Sequence, residues 1–210
     1  MNYEIILASG SPRRRELLQG AGLRFTVRVS EAEEKYSASE PSDIVKELSK
    51  IKAGAVAEEI LRESEGLVFT KPCLILGADT VVSADGKILG KPADAEEAAQ
   101  MIRMIQGREH EVFTGVCLIA LCPGEDGKPG LRTSEIRNFS EGTKVHVVPM
   151  TEREIRDYVA CGESLDKAGA YAIQGEFGKY IDRFEGDYEN VIGLPIKRVL
   201  SEIRSMTEEE

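Results

Sequence analysis

The chain is short of the residues from which many sites are built. Its four cysteines, Cys73, Cys117, Cys122 and Cys161, form no CxxC pair, and no histidine or second cysteine pair completes a zinc set around Cys117 and Cys122. They read as buried, reduced thiols. There are two histidines, His110 and His146. Neither has a serine or cysteine at a spacing that would make a nucleophilic triad. No apolar run is long enough to span a bilayer. The N-terminus runs straight into a strand pattern, without the basic start, apolar stretch and cleavage site of a signal peptide. The expectation is a cytoplasmic protein with no membrane contact. Positive charge is also scarce. The formal net charge of −10 argues against general nucleic-acid binding, which needs a basic face. It leaves room for a small anion in a locally basic pocket. The common phosphate and metal signatures GxxxxGK[ST], GxGxxG and HExxH are absent too.

What is present is the composition of an ordinary globular protein, with 41% hydrophobic and 30% charged residues in a chain of 210. That length can bury a full core without disulfides or metal. Ile5 to Leu18 organises the rest. Ile5–Ala8 is an apolar run of strand length, Ser9-Gly10-Ser11 is a turn, and Pro12 suits the first position of a helix capped by Ser11. Leu23–Val29 alternates as a strand, and Glu31–Ser39 is a polar loop. A helix opening at Pro41 carries the stripe Ile44, Leu48, Ile51 and Ala55. Cys73–Ala84 is strand, Asp85-Gly86 a hairpin turn and Lys87–Leu89 the return. Asp94 and Glu97 cap the next helix. Glu111–Leu121 and Arg132–Val148 read as antiparallel partners around a Pro/Gly-rich loop, Cys122–Leu131. Thr151 and Glu154 form a capping box. Ser164–Gly193 lacks periodicity and reads as a long functional loop. Ile196, Val199, Leu200 and Ile203 mark a last helix. Strands and helices alternate early and a long hairpin follows, which predicts an α/β fold with a mixed sheet flanked by helices.

Chemistry has few places to sit. A helix start offers free N–H groups and a positive dipole end to an anion. Arg13, Arg14 and Arg15 add charge where acidic residues are the norm, a cost that points to a phosphate ligand. Three successive helical residues cannot share a face, so Arg13 and Arg14 are expected toward the phosphates and Arg15 away. Asp79 ends a buried strand, where open α/β sheets bind ligands. It could act as a general base, hold a divalent cation, or cap a turn through Thr80. Lys52, Lys91 and Lys167 could join Arg13 and Arg14 as cationic partners of a polyphosphate. Gln174 offers a donor and an acceptor to a base edge.

Six stretches, in order, resemble the Maf family of nucleoside triphosphate pyrophosphatases: ASGSPRRRELL, LGADTVV, LGKPADAEEAAQM, GREHEVFTGV, DKAGAYAIQG and NVIGLPI. The resemblance covers nearly the whole chain. It implies a single Maf-like domain over residues 1–205, with 206–210 as a frayed acidic tail. It also implies a fold of two lobes with a central cleft, related to inosine triphosphatase. The implied reaction converts a nucleoside triphosphate to the monophosphate and pyrophosphate with a divalent cation, Mg²⁺ or Mn²⁺. Carried onto this sequence, the family's proton acceptor is Asp79, and its three specificity positions are Arg13, Thr80 and Gln174. Those identities match the branch acting on dTTP and UTP, with CTP and modified pyrimidine nucleotides as further substrates. The branch acting on 7-methyl-GTP has Trp, Gln and Glu there. Further contacts fall on Ser9, Arg14, Lys52, Lys91 and Lys167. Glu34 joins Asp79 as a metal ligand in this reading, with Glu33 the neighbouring alternative. A homodimer is implied by the resemblance alone. Alternatives are a 7-methyl-GTP or purine pyrophosphatase, and a nucleotide-sensing regulator of septation.

Overall fold

The structure is a computed structural model that describes residues 3–64, 71–123 and 129–208. Seven strands pair in the order β2-β1-β3-β5-β6-β7, with β4 added on β3. Their ranges are β1 Glu4–Leu7, β2 Phe25–Val27, β3 Cys73–Ala84, β4 Lys87–Leu89, β5 Glu109–Pro123, β6 Pro129–Val147 and β7 Ile181–Glu185. β1 runs parallel to both β2 and β3, whereas β4 is antiparallel to β3 and β7 to β6. The sheet is therefore mixed, as expected. The chain divides into two compact units. Unit 1 holds residues 1–79, 115–140 and 193–210, and unit 2 holds residues 80–114 and 141–192.

In unit 1 the first half of β3 is buried on both faces, which is why it reads as the unbroken apolar run CLILGA. Leu7, Leu74, Leu76, Val116 and Leu118 pack with Leu18 of helix α1 (Pro12–Gly20) and Val199 of helix α6 (Ile196–Glu208). Ile75, Cys117 and Ile119 pack on the opposite side with Ala53, Val56 and Ile60 of helix α2 (Pro41–Glu63). The buried side of α2 is Ile44, Val45, Leu48, Ser49, Ala53, Val56, Ala57 and Ile60. The expected stripe kept Ile44 and Leu48 but placed Ile51 and Ala55 inward, and both are only half-buried. The reason lies in the sheet. An ideal Cβ at Gly77 would stand 2.4 Å from the Ser49 carbonyl oxygen, and one at Gly115 2.1 Å from that of Val45. The helix backbone rests directly on these two strand glycines, so its contact side carries Ser49 and Ala53 there.

Unit 2 surrounds a second core. Val82, Leu89, Val112 and Val145 meet Ala98, Ile102 and Ile105 of α3 (Ala95–Ile105), Ile155 and Tyr158 of α4 (Glu152–Ala160), and the aromatics Tyr171 and Phe177. Both expected caps form. The Asp94 carboxylate accepts from the Glu97 N–H at 2.8 Å, and Thr151 and Glu154 close a capping box. Ser11 is an N-cap by position, but its side chain makes no capping bond. The stretch Ser164–Gly193 is not structureless. It contains two short 3₁₀ turns (Ala168–Ala170 and Glu176–Tyr180), edge strand β7 and the one-turn helix α5 (Tyr188–Ile192). The last helix continues to Glu208 because Met206 extends its buried side. β5 and β6 also run further into the Cys122–Leu131 stretch than expected, and residues 124–128 of that loop lie outside the described residues.

The close seating of α2 predicts opposite effects for three Gly→Ala changes. Gly77→Ala and Gly115→Ala should each destabilise by about 1–3 kcal/mol or more, because the added methyl meets backbone that cannot rotate away. Gly54→Ala, in the same helix with nothing within 4 Å of its Cβ position, should stabilise by about 0.5–1 kcal/mol. Urea unfolding of the three variants measures the contrast.

A second prediction concerns acid. His110 is 3% exposed, its Nε2 lies 2.6 Å from the Tyr171 hydroxyl, and its Nδ1 is buried without a partner among the described residues. Burial pushes its pKa down from 6.5 to about 4, with His146 adding repulsion. The native state therefore binds the proton less readily than the unfolded chain. Stability from this group is full above pH 6.5 and falls between pH 6.5 and 4, by on the order of 3 kcal/mol. Denaturation midpoints of wild type and His110→Asn across that range should converge as pH falls.

Candidate active site

The site residues fall into one group in each unit. In unit 1, side chains alternate along β3, so Asp79 shares with Gly77 the face that meets α2. Lys52 lies on α2 beside Ala53, whose backbone rests against Gly77. The close helix seat thereby delivers Lys52 Nζ to Asp79 Oδ1 at 2.5 Å. Both side chains are largely withdrawn from water, at 14% and 15% exposure. Removing one partner of such a pair leaves a poorly solvated charge. Glu34, from the polar loop after β2, reaches the same Lys52 Nζ at 3.2 Å and is 52% exposed. Glu33 instead pairs with exposed Lys35. Of the two neighbouring glutamates, Glu34 is the one beside Asp79's lysine.

Arg14 lies beneath the β1–α1 turn. Its Nε donates to the Gly193 carbonyl at 2.9 Å and its Nη1 to Ser9 Oγ at 3.0 Å. Ser9 Oγ also accepts from the Ser11 N–H at 3.3 Å. Burial lowers the Arg14 pKa, the charges of Asp79 and Glu34 oppose that shift, and Arg13 adds to it. Arg14 thus braces the turn and balances the two carboxylates. Arg13 is half-buried, and no hydrogen bond or ion pair holds it among the described residues. Arg15 Nη2 donates back to the Gly10 carbonyl at 3.4 Å. The three arginines have three different settings, which matches the rotation of about 100° per helical residue.

In unit 2, Lys167 is 14% exposed and donates to the Glu163 carbonyl at 2.8 Å and to Asp166 Oδ1 at 2.5 Å. The Gly169 N–H donates to the Gly90 carbonyl at 3.0 Å. That bond ties the turn after Lys167 to the turn before Lys91, whose side chain is exposed. Gln174 is exposed, and its amide makes no hydrogen bond among the described residues. Its following turn is pinned by a residue that sequence reasoning missed: Glu163 Oε2 accepts from the Glu176 N–H at 2.9 Å. Gly175, at φ +128, lies so close to that carboxylate that a Cβ would stand 2.4 Å from Glu163 Oε1. Only glycine fits there.

Thr80 follows Asp79 on β3 and points to the opposite face. Its Oγ1 lies 2.9 Å from Thr114 Oγ1 on β5. Thr114 Oγ1 donates to the Asn190 carbonyl at 2.9 Å. The Asn190 amide in turn donates to the Val112 carbonyl and to Thr143 Oγ1, each at 3.0 Å. Thr114 and Asn190 lie within two of the resemblance motifs, GREHEVFTGV and NVIGLPI, and carried no chemical signal of their own. Among the described residues no group of three or more His, Cys, Asp or Glu could hold a metal ion alone. Three cysteines are buried as expected, and Cys161 is exposed.

In unit 1 two carboxylates are thus balanced by the largely buried cations Lys52 and Arg14, beside the start of α1. The comparison with protein families agrees with the six ordered motifs: the description "Maf-like protein" matches residues 4–206, and the chain belongs to the Maf family. Among curated relatives, a protein of Lachnoclostridium phytofermentans named dTTP/UTP pyrophosphatase is 43% identical over 96% of this chain and 94% of its own. Proteins of the same name from Agathobacter rectalis and Bacillus thuringiensis are each 44% identical, over 97% and 96% of this chain and 97% and 94% of theirs. The solved Staphylococcus aureus Ham1 protein aligns with 69% of this chain and 71% of its own at 12% identity and a TM-score of 0.37.

The arginine geometry separates two effects. Arg14→Ala should lower the melting temperature, because it frees the Gly193 carbonyl and Ser9 and leaves Asp79 and Glu34 less balanced. Arg13→Ala should change the folding stability by less than about 0.5 kcal/mol, as for a side chain without structural partners, and weaken triphosphate binding. Thermal melts and nucleotide titrations of both variants test the division.

Proposed function

We propose that the chain is a dTTP/UTP pyrophosphatase, converting these nucleotides to the monophosphate and pyrophosphate. The observation that carries the reading is the Lys52–Asp79 pair, in a chain whose near-full-length relatives bear that name. Attack on the α-phosphorus needs an activated water, an in-line leaving group and neutralisation of developing negative charge. Lys52 holds Asp79 by Oδ1, so Oδ2 is the oxygen that takes the water's proton. Arg13 and the N–H groups opening α1 hold phosphate oxygens, with Lys91 and Lys167 as further cations. Arg14 and Ser9 keep the turn in shape. Gln174 donates its amide N–H to O4 of thymine or uracil, and Thr80 meets the same base. CTP and modified pyrimidine nucleotides are secondary substrates in this reading.

A divalent cation, Mg²⁺ or Mn²⁺, fits the donor set. Glu34 and Asp79 are two carboxylates gathered around one lysine, and such ions are commonly held by one or two carboxylates plus substrate phosphates. Bound there, the ion would supply charge neutralisation on the leaving pyrophosphate. No helix among the described residues is long and apolar enough to cross a membrane. We place the protein in the cytoplasm, with its nucleotide substrates, and leave nucleic acid and membranes out of its function.

The test is pyrophosphate release across a nucleotide panel with Mg²⁺ or Mn²⁺, for wild type and Asp79→Asn. Wild type should favour dTTP and UTP over ATP, GTP and 7-methyl-GTP. Asp79→Asn should lose about 10²–10⁴-fold in kcat while keeping its circular dichroism spectrum. Preference for 7-methyl-GTP, or normal turnover by the variant, would overturn the assignment.

A further inference from the structure

The proposed function gives Thr80 a place at the base without saying which hydrogen-bonding sense its hydroxyl presents. A threonine hydroxyl has one proton and two acceptor sites, and its rotor turns to suit its neighbours. The network around Thr80 removes that freedom. The Asn190 carbonyl can only accept, so the bond between it and Thr114 Oγ1, at 2.9 Å, uses the Thr114 proton. Thr114 is completely buried, and it has no second proton to offer. The 2.9 Å contact between Thr114 Oγ1 and Thr80 Oγ1 must therefore be made with the proton of Thr80.

We infer that Thr114 is a specificity-determining positioning residue that fixes the Thr80 hydroxyl as a hydrogen-bond acceptor toward the base. With its proton spent on Thr114, Thr80 Oγ1 has lone pairs to present to any other neighbour. Thymine and uracil carry a donor at N3, whereas cytosine has a lone pair there. An acceptor held in place complements the former and repels the latter, and a mismatch leaves buried polar groups unpaired. The relay has a firm origin. The carbonyl that orients Thr114 belongs to Asn190, which is itself fully buried and fixed through its amide to Val112 and Thr143. Its backbone N–H adds a third tie, to Asp187 Oδ1 at 2.9 Å.

The inference rests on the reading that Thr80 meets a pyrimidine base, and the experiment separates the two. The ratio of kcat/KM for dTTP and UTP to that for CTP is measured in wild type, Thr114→Val, Thr114→Ser, Thr80→Val and the Thr80→Val/Thr114→Val double variant, with melting temperatures alongside. Thr114→Val should lower the ratio about tenfold, equivalent to ~1.4 kcal/mol, because Thr80 regains a proton to turn toward cytosine. Thr114→Ser should restore it. In the Thr80→Val background, Thr114→Val should change the ratio no further, since the relay acts only through Thr80. A folded Thr114→Val protein with the wild-type ratio, or an additive loss in the double variant, would overturn the relay. Neutron diffraction of the perdeuterated wild type reads the same point without activity. Deuterium on the line from Thr80 to Thr114 supports the inference even if the preferred nucleotide is not a pyrimidine. Deuterium pointing from Thr114 to Thr80 refutes it whatever the substrate.

Discussion

The close approach of helix α2 to the sheet governs the first half of the site. Two strand glycines, Gly77 and Gly115, let the helix backbone come nearer than any side chain would permit. Interior packing has little slack, and contacts of this kind are not adjusted by fractions of an ångström without cost. The consequence is electrostatic as well as steric. Lys52 is one residue from Ala53, which rests on Gly77, and Asp79 is two residues beyond Gly77 on the same strand face. A helix seated further out would separate the two charges and admit water between them. The glycine seat is what makes a desolvated lysine–aspartate pair available at the end of a strand.

That dependence also explains what could and could not be read from the sequence. The β1–turn–α1 unit, the β3–β4 hairpin, the Asp94 cap and the Thr151–Glu154 capping box were legible because each is decided by a few adjacent residues. The buried side of α2 was misread at Ile51 and Ala55. Apolar type at helical spacing suggested them, whereas the seat on Gly77 and Gly115 turns Val45, Ser49 and Ala53 toward two distant strands. Ser164–Gly193 read as a loop for a similar reason. β7 is a polar edge strand, exposed along most of its length and defined by pairing with β6. No period in its own residues announces that partner. At the candidate site, Asp79, Lys52, Arg13, Arg14, Thr80 and Gln174 stood out through residue type, position or family resemblance. Thr114, Asn190 and Glu163 did not, because their importance lies in what they hold.

The two groups of site residues are stabilised by different physics. The unit 1 group is ionic: Lys52 between Asp79 and Glu34, and Arg14 buried with their charges acting on it. The unit 2 threonine network is neutral: two hydroxyls, a carbonyl and an amide, each with a defined sense. Charged groups respond to the total charge of a ligand and tolerate modest changes in its shape. Neutral hydrogen bonds respond to the placement of single protons. Phosphates are alike in every nucleoside triphosphate, and bases differ chiefly in where their protons lie. Within unit 1 the ionic group responds to charge, and within unit 2 the hydroxyl network responds to proton placement.

The same distinction bears on how each part of the site would tolerate change. Around Asp79 and Glu34, the charge of Lys52 is seconded by that of Arg14. The hydroxyl chain has no such reserve. Each member has one proton, and the direction of every bond follows from the carbonyl at its end. A substitution at Thr114 reaches Thr80 without moving its backbone, because what changes is the availability of a proton. A methyl group of the same size as the lost hydroxyl would preserve the packing and still erase the information. In the proposed relay, selectivity is set by a side chain that never touches the ligand, so the residues proposed to sort pyrimidines extend beyond those proposed to meet the base.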